Sequence, residues 1–284
     1  MKKIIARFLI FLLGIPLIAA LVFLFPQYDH LVLNIFVVVF SVLGALELQA
    51  MLKKKQLLIS RIEAAILGGL VPALVTLRMS CNLPLWIVPV FFAGAMIWLL
   101  VSSIFMTGAQ EHFINRAAAG FAALLYPGSL LAWICAMGKW DGKLILIFLL
   151  VPIMSDSTAW AAGMLFGRNN RGIINVSPNK SIAGFIGGLF ASVVICMAAA
   201  YIFPQFFTPR FGLAALLSGA GLGLISGIAA ALGDLCESAI KRSAEYKDSG
   251  SLMPGRGGVL DSVDSVALAA PVFYIAWTLL FNFA

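Results

Sequence analysis

Six carboxylates, two adjacent cations and a run of glycines fall in one short stretch, residues 234–264, of a chain that is otherwise mostly apolar. Asp234, Glu237 and Lys241 are spaced i, i+3 and i+7, which on a helix places them on one face, with Arg242 alongside. Two carboxylates followed by two cations make a cradle for a divalent metal, with Glu237 beside Asp234, and for the polyphosphate such a metal carries. Lys247-Asp248-Ser249-Gly250 then reads as a turn, and Pro254-Gly255-Arg256-Gly257-Gly258 as a glycine-rich loop whose backbone N–H groups can approach phosphate closely. Asp261 and Asp264 follow, three residues apart on one face of the next helix. A surface loop laced with ion pairs accounts poorly for four acids that border two membrane spans, so a metal–phosphate site is the stronger reading.

Two upstream stretches belong with this one. Asp156 lies in Ser155-Asp156-Ser157-Thr158, deep in an apolar span, where a carboxylate cannot easily reach the interface and polar neighbours imply a wet cavity. Arg168, Arg171 and Lys180 lie on a polar loop, where Ser177 and Lys180 could hold phosphate oxygens next to the helix that starts at Ser181. Attraction of anionic lipid headgroups accounts for that loop equally well. Glu47 reads differently, as a carboxylate near the end of a span that snorkels to the interface beside Lys53, Lys54 and Lys55. His30 and His112 lie in connecting segments without the neighbours a catalytic base or metal ligand needs. Cys81, Cys135, Cys196 and Cys236 are widely spaced and read as small buried hydrophobes, with no zinc or disulfide pattern. Any chemistry therefore rests on carboxylates, cations and a metal.

The elements that must position these residues are membrane helices. Of 284 residues 62% are hydrophobic and only 11% charged, which excludes a soluble globule, a disordered chain and a collagen-like fibre. A net charge of +7 spread over apolar segments is no basic patch, which argues against a nucleic-acid partner. Nine spans are expected, at about 4–26, 29–52, 60–78, 84–106, 116–137, 143–166, 181–203, 211–233 and 259–282. With the N-terminus in the cytoplasm, alternation leaves only Arg78, Lys139, Lys143 and Arg210 of the 19 basic residues outside, as the positive-inside bias requires. The first span follows Lys2 and Lys3 but is too long for a cleavable signal, and is read as retained. Gly219, Gly223 and Gly227, like Gly184 and Gly188, recur every fourth residue, a spacing for close helix packing. The expected fold is an all-α polytopic bundle: five N-terminal spans over 1–140, then a catalytic region over 141–284 with cytoplasmic loops at 167–180 and 234–258.

From Ser238-Ala239-Ile240-Lys241-Arg242 through Lys247-Asp248-Ser249-Gly250 to Pro254-Gly255-Arg256-Gly257-Gly258-Val259-Leu260-Asp261-Ser262-Val263-Asp264, the chain resembles the signature of the phosphatidate cytidylyltransferases (CDP-diacylglycerol synthases). The likeness extends to Gly233-Asp234, Glu237-Ser238, the Ser177-Pro178-Asn179-Lys180 loop and Asp156, and so covers the C-terminal half; the first 140 residues match only in hydropathy. It implies metal-binding acids at Asp234 and Asp261, with Asp248 and Asp264 matching other acids of the signature. A multi-span fold, a homodimer and an active site reached from the cytosol are implied as well. Three positions depart from that pattern: Arg256 where the family usually has His, Ser262 where it has Arg, and Ala183 where it commonly has Glu.

The function expected from this resemblance is condensation of CTP with phosphatidate, or a similar lipid phosphate, to CDP-diacylglycerol and pyrophosphate in a bacterial inner membrane. Mg²⁺ on Asp234 and Asp261 would neutralise charge, with room for a second, monovalent cation. Lys241 and Arg242 would hold the departing pyrophosphate, while Asp156, Ser177 and Lys180 line the other wall. Alternatives are a CTP-dependent enzyme acting on another lipid phosphate or a polyprenol, and an inactive paralogue or transporter-like protein.

Overall fold

The computed structural model describes residues 14, 16–55, 59–106, 113–172 and 174–282, and these are helical and connecting segments without a strand. The helices are α1 (16–24), α2 (Gln27–Lys53), α3 (Arg61–Cys81), α4 (Ile87–Met106), α5 (Phe113–Ala123), α6 (Leu130–Ala136), α7 (Gly142–Phe166), α8 (Ile182–Ile202), α9 (Gly212–Ser243) and α10 (Leu260–Trp277). Eight described segments are long and apolar enough to cross a bilayer, α5 and α6 acting as one from Phe113 to Lys139. The chain is an all-α, polytopic integral membrane protein. These eight correspond to the second through ninth expected spans. Much of the first, residues 4–13 and 15, lies outside the described residues, as does His112.

The chain forms two compact units. One comprises the residues up to Trp140 together with Ser243–Ser262; the other comprises Asp141–Arg242 and the residues from Val263 onward. α10 therefore starts in the first unit and continues in the second.

In the first unit, α2 packs on α3 where Gly68 leaves room for Ala45 and the Ser41 backbone. Ala45, Leu67, Val71, Leu99, Ala123 and Leu124 form the buried core. Between α5 and α6 the helix widens to a π-turn over Leu124–Ser129, around Pro127, which has no N–H to give. The Pro127 carbonyl accepts from Ser41 Oγ at 2.6 Å. Arg116 Nη2 reaches both oxygens of Glu63, at 2.6 and 2.8 Å, and the pair is largely buried. Tyr28, Asp29 and His30 form a left-handed turn before α2 settles into its right-handed course. His30 lies within the range of α2 and is buried, with Nδ1 donating to Gly138 O at 2.9 Å.

In the second unit the spaced glycines sit at helix contacts. A Cβ on Gly188 would lie 2.9 Å from Ser155 Oγ, one on Gly219 2.8 Å from Cys196 O, and one on Gly223 would collide with Ser192 O. These positions thus bring α8 against α7 and α9 against α8 with backbones nearly touching. α10 joins them through Gly233, where a side chain would strike Asp264 O, and through Phe148 packed on Phe273 with ring centroids 5.3 Å apart. Cys135 and Cys196 are buried as expected, but Cys81 and Cys236 are exposed, because each lies on a helix face without a covering neighbour.

Candidate active site

The candidate acids of the second unit lie on α7 (Asp156), α9 (Asp234, Glu237) and α10 (Asp264). The apolar run of α9 does not stop at residue 233: the helix continues to Ser243, so Asp234, Glu237, Lys241 and Arg242 are helical rather than part of a loop beginning at 234. That extension is possible because its charges are paired. Lys180 Nζ lies 2.6 Å from Asp234 Oδ2, and Lys241 pairs with Glu237 one turn earlier. Glu237 is fully buried, so its partner offsets what would otherwise be a costly uncompensated charge. Ser181 caps α8 by accepting from Gly184 N–H at 3.1 Å. Lys180 just before it is drawn back over a turn in which its N–H donates to Ser177 O at 3.0 Å. The structure thus joins the predicted phosphate-holding Lys180 to the predicted metal-holding Asp234, and Ser177 is in the same turn.

A second polar group in this unit links α7 to α10. Ser265 Oγ lies 3.4 Å from Asp156 Oδ1 and 3.3 Å from Asp264 Oδ1, and Ser265 N–H donates to Asp264 Oδ1 at 2.6 Å. Asp264 is buried, and Asp156 is half-buried within α7.

The first unit holds Asp248, Arg256, Gly257, Gly258 and Asp261. The 244–259 segment folds on itself: Met253 N–H donates to Gly257 O at 2.8 Å and Gly257 N–H returns to Met253 O at 3.0 Å. Gly257 has φ +116°, open only to glycine, and a Cβ there would lie 2.5 Å from Asp261 Oδ2 and 3.1 Å from Asp248 Cβ. Asp261 Oδ2 accepts from Ser249 N–H at 2.7 Å and Gly258 N–H at 2.8 Å, with Ser249 Oγ at 2.9 Å. Asp248 is exposed and Arg256 half-buried.

Glu47 is the residue the sequence misled on. It does not snorkel: it is 8% exposed and accepts Val259 N–H on Oε1 and Leu260 N–H on Oε2, both at 2.9 Å, with Ser249 Oγ 3.0 Å from Oε2. A carboxylate facing the first amides of α10 satisfies donors that the helix itself leaves open. The amides around Gly258 are therefore committed to Glu47 and Asp261. A lone acid inside a span was the available signal; the nearby lysines masked it. Those lysines serve elsewhere, since Lys55 Nζ and Lys54 Nζ lie 2.6 and 3.1 Å from the exposed Glu245. The Lys55 hydrogen bond, then Lys54, holds the Glu245 carboxyl below the usual carboxylate range.

Among the described residues no three His, Cys, Asp or Glu side chains converge as a ready-made metal cage. Mg²⁺ is ordinarily held by one or two carboxylates plus substrate phosphates, so the donor set here, hard carboxylate oxygens throughout, suits it. Asp261, oriented by hydrogen bonds on one oxygen, is held as ligating carboxylates are.

Long apolar helices carry these carboxylates, and the glycine-rich loop lies at the start of α10. The family model described as the cytidylyltransferase family matches residues 5–280, and the chain belongs to that family. It is 34% identical over 183 residues to YnbB of Escherichia coli K12, named only as an uncharacterized protein, covering 62% of this chain and 58% of that one. It is 39% identical over 131 residues to a phosphatidate cytidylyltransferase of Staphylococcus aureus, covering 46% and 47% of the two chains. With a phosphatidate cytidylyltransferase of Synechocystis it shares 38% over 133 residues, 44% and 42% of the two chains. In these matches the chain spans about half the length of the curated relatives.

Proposed function

We propose that this protein transfers the cytidylyl group of CTP to the phosphate of phosphatidate, forming CDP-diacylglycerol and pyrophosphate. A phosphate oxygen of the lipid attacks the α-phosphorus of CTP. The new P–O bond forms as the bond from that phosphorus to the bridging oxygen breaks, and pyrophosphate leaves with the electron pair. A phosphate monoester with a second pKa near 6 is already largely ionised at neutral pH, so no strong base is required. Positioning and charge neutralisation then do most of the catalysis.

By the family resemblance, Asp234 and Asp261, with Glu237, are the residues proposed for Mg²⁺ binding, and a second, monovalent cation is a further proposal. Bound there, the metal would neutralise phosphate charge. Lys180, paired with Asp234 at 2.6 Å, is a cation that an arriving polyphosphate can draw away. Lys241 and Arg242 would steady the departing pyrophosphate. Asp156, Ser177 and Arg256 are proposed to contact substrate, and Gly257 and Gly258 to let the loop close on Asp261. Asp248 and Asp264 would hold and orient neighbouring groups. A homodimer in a bacterial inner membrane, with the site facing the cytoplasm, completes the proposal and accords with the placement of the basic residues.

The observation that carries this reading is the family match over residues 5–280, which spans every acid named. The test is purified protein with CTP, phosphatidate and Mg²⁺: Asp234→Asn and Asp261→Asn should each lower CDP-lipid formation at least about 100-fold, like other losses of a strong electrostatic stabiliser. Undiminished turnover in either would overturn the assignment. A second acceptor, another lipid phosphate or a polyprenol, is favoured by one observation: Ser262, where the family has Arg, gives its hydroxyl to Gly258 O at 3.1 Å and brings no cation to the loop. An acceptor panel separates the two.

A further inference from the structure

Glu47 stands 202 positions before Ser249 in the chain, yet its carboxylate is the point on which the signature loop closes. Two glycines make this possible. A Cβ on Gly250 would fall on Glu47 Oε1, and one on Gly258 would fall on Glu47 Oε2 and Ser249 Oγ. The carboxylate fills that space and takes Val259 N–H, Leu260 N–H and the reach of Ser249 Oγ, which also lies 2.9 Å from Asp261 Oδ2. Glu47 and Asp261 therefore both face the same serine, Glu47 from α2 and Asp261 from the start of α10. A hydroxyl has one proton, so it donates to one carboxylate at a time and couples the two.

We infer that Glu47 is a positioning residue: through Ser249 and the amides of Val259 and Leu260 it fixes the 249–258 loop, and with it the direction in which Asp261 points. Glu47 touches no reacting atom in this scheme. Its catalytic consequence rests on the cytidylyl-transfer reading; its structural consequence does not. A hydrophobic residue at position 47 would leave the Val259 and Leu260 amides without their acceptor, Ser249 Oγ with Asp261 in place of two carboxylates, and Asp261 with a looser loop. Outer partners that orient a metal-binding carboxylate typically contribute about 10- to 100-fold in metal affinity or activity.

The experiment uses the full chain in phosphatidylglycerol nanodiscs and two readouts. Amide hydrogen exchange is followed across residues 249–262, with peptides from α7 and α8 as internal controls. Steady-state constants are measured for CTP and for phosphatidate separately. Glu47→Ala should speed exchange at Val259 and Leu260 at least about tenfold and leave α7 and α8 unchanged. It should lower kcat/KM for CTP by about 10- to 100-fold while KM for phosphatidate stays within about twofold. Glu47→Gln, which keeps one acceptor oxygen, should fall between. Gly250→Ala, which pushes on the same carboxylate from the other side, should change exchange in the same direction and keeps the test open if Glu47→Ala does not fold. Unchanged exchange over 249–262 in Glu47→Ala or Gly250→Ala overturns the inference. So does an equal loss for CTP and lipid, which would mark general destabilisation. If the unaltered protein makes no CDP-lipid, the functional reading fails and the exchange result still decides this one.

Discussion

Replacing Ser249 by Ala removes one oxygen from a buried junction. In the native chain that oxygen lies 2.9 Å from Asp261 Oδ2 and 3.0 Å from Glu47 Oε2, and it accepts Asp261 N–H at 3.2 Å. Its single proton serves one carboxylate at a time, and a hydrogen bond to a charged group contributes about 1.5–3 kcal/mol. The Asp261 N–H contact is long and adds at most about 1 kcal/mol. Two donors to Asp261 survive the change, Ser249 N–H at 2.7 Å and Gly258 N–H at 2.8 Å, so the carboxylate stays in its place but is held less firmly. The expected loss is about 2–3 kcal/mol. Expressed wholly in the transition state it would lower kcat/KM for CTP by about 30- to 150-fold, since 1.4 kcal/mol is tenfold. Thermal unfolding in nanodiscs reads the stability part, and pyrophosphate release from CTP reads the catalytic part. Turnover of the Ser249→Ala variant within about twofold of the native rate, together with an unchanged Tm, would refute the idea that this bridge holds the loop.

Other outcomes follow from the same contacts. Gly258→Ala should be more damaging than Ser249→Ala, by about 1–3 kcal/mol or more of overpacking, because its Cβ meets Ser249 Oγ, Glu47 Oε2 and, at 2.6 Å, Gly250 N; thermal unfolding checks this. Lys241→Met removes the ion-pair partner of the buried Glu237 and should cost up to about 3–5 kcal/mol, most of which the double change with Glu237→Leu restores; yield and Tm of the three variants decide it. Gly223→Leu should separate α8 from α9 and abolish folding into the membrane, seen as loss of monodisperse protein on extraction. Glu245 has its carboxyl held low by Lys55 and Lys54, so its small stabilising effect is present above the ordinary Glu pKa and is lost as pH falls through the lowered folded value. The Tm of Glu245→Gln and of the native chain should therefore differ slightly near neutrality and converge in acid.

Hydropathy made the membrane spans legible, because twenty apolar residues in a row have few other uses, and the four-residue glycine spacing correctly marked where α7, α8 and α9 touch. Local departures were not legible. The π-turn at Leu124–Ser129 and the left-handed turn at Tyr28, Asp29 and His30 depend on which carbonyls and side chains meet them from elsewhere in the unit. Spacing singles out the acids, but not their partners. Lys180 and Asp234 are 54 positions apart by number and Glu47 and Ser249 nearly four times that, and no periodicity links such residues. Glu47 shows the limit most clearly: three neighbouring lysines offered a cheap local account of a carboxylate that in fact turns inward to the distant loop. The glycine-rich run was rightly read as a place of close approach, yet what approaches in the fold is the chain's own carboxylates.

Transfer of a cytidylyl group to a membrane lipid phosphate, the proposed reaction, is measured most directly by following the phosphorus of CTP. The purified chain is incubated with phosphatidate, Mg²⁺ and CTP labelled at either the α- or the γ-phosphate. The expected result is α-label in the extracted lipid, γ-label only in pyrophosphate, one pyrophosphate per lipid product, and neither with Asp261→Asn. γ-Label in the lipid with CDP released, or no labelled lipid across the acceptor panel, would contradict the account.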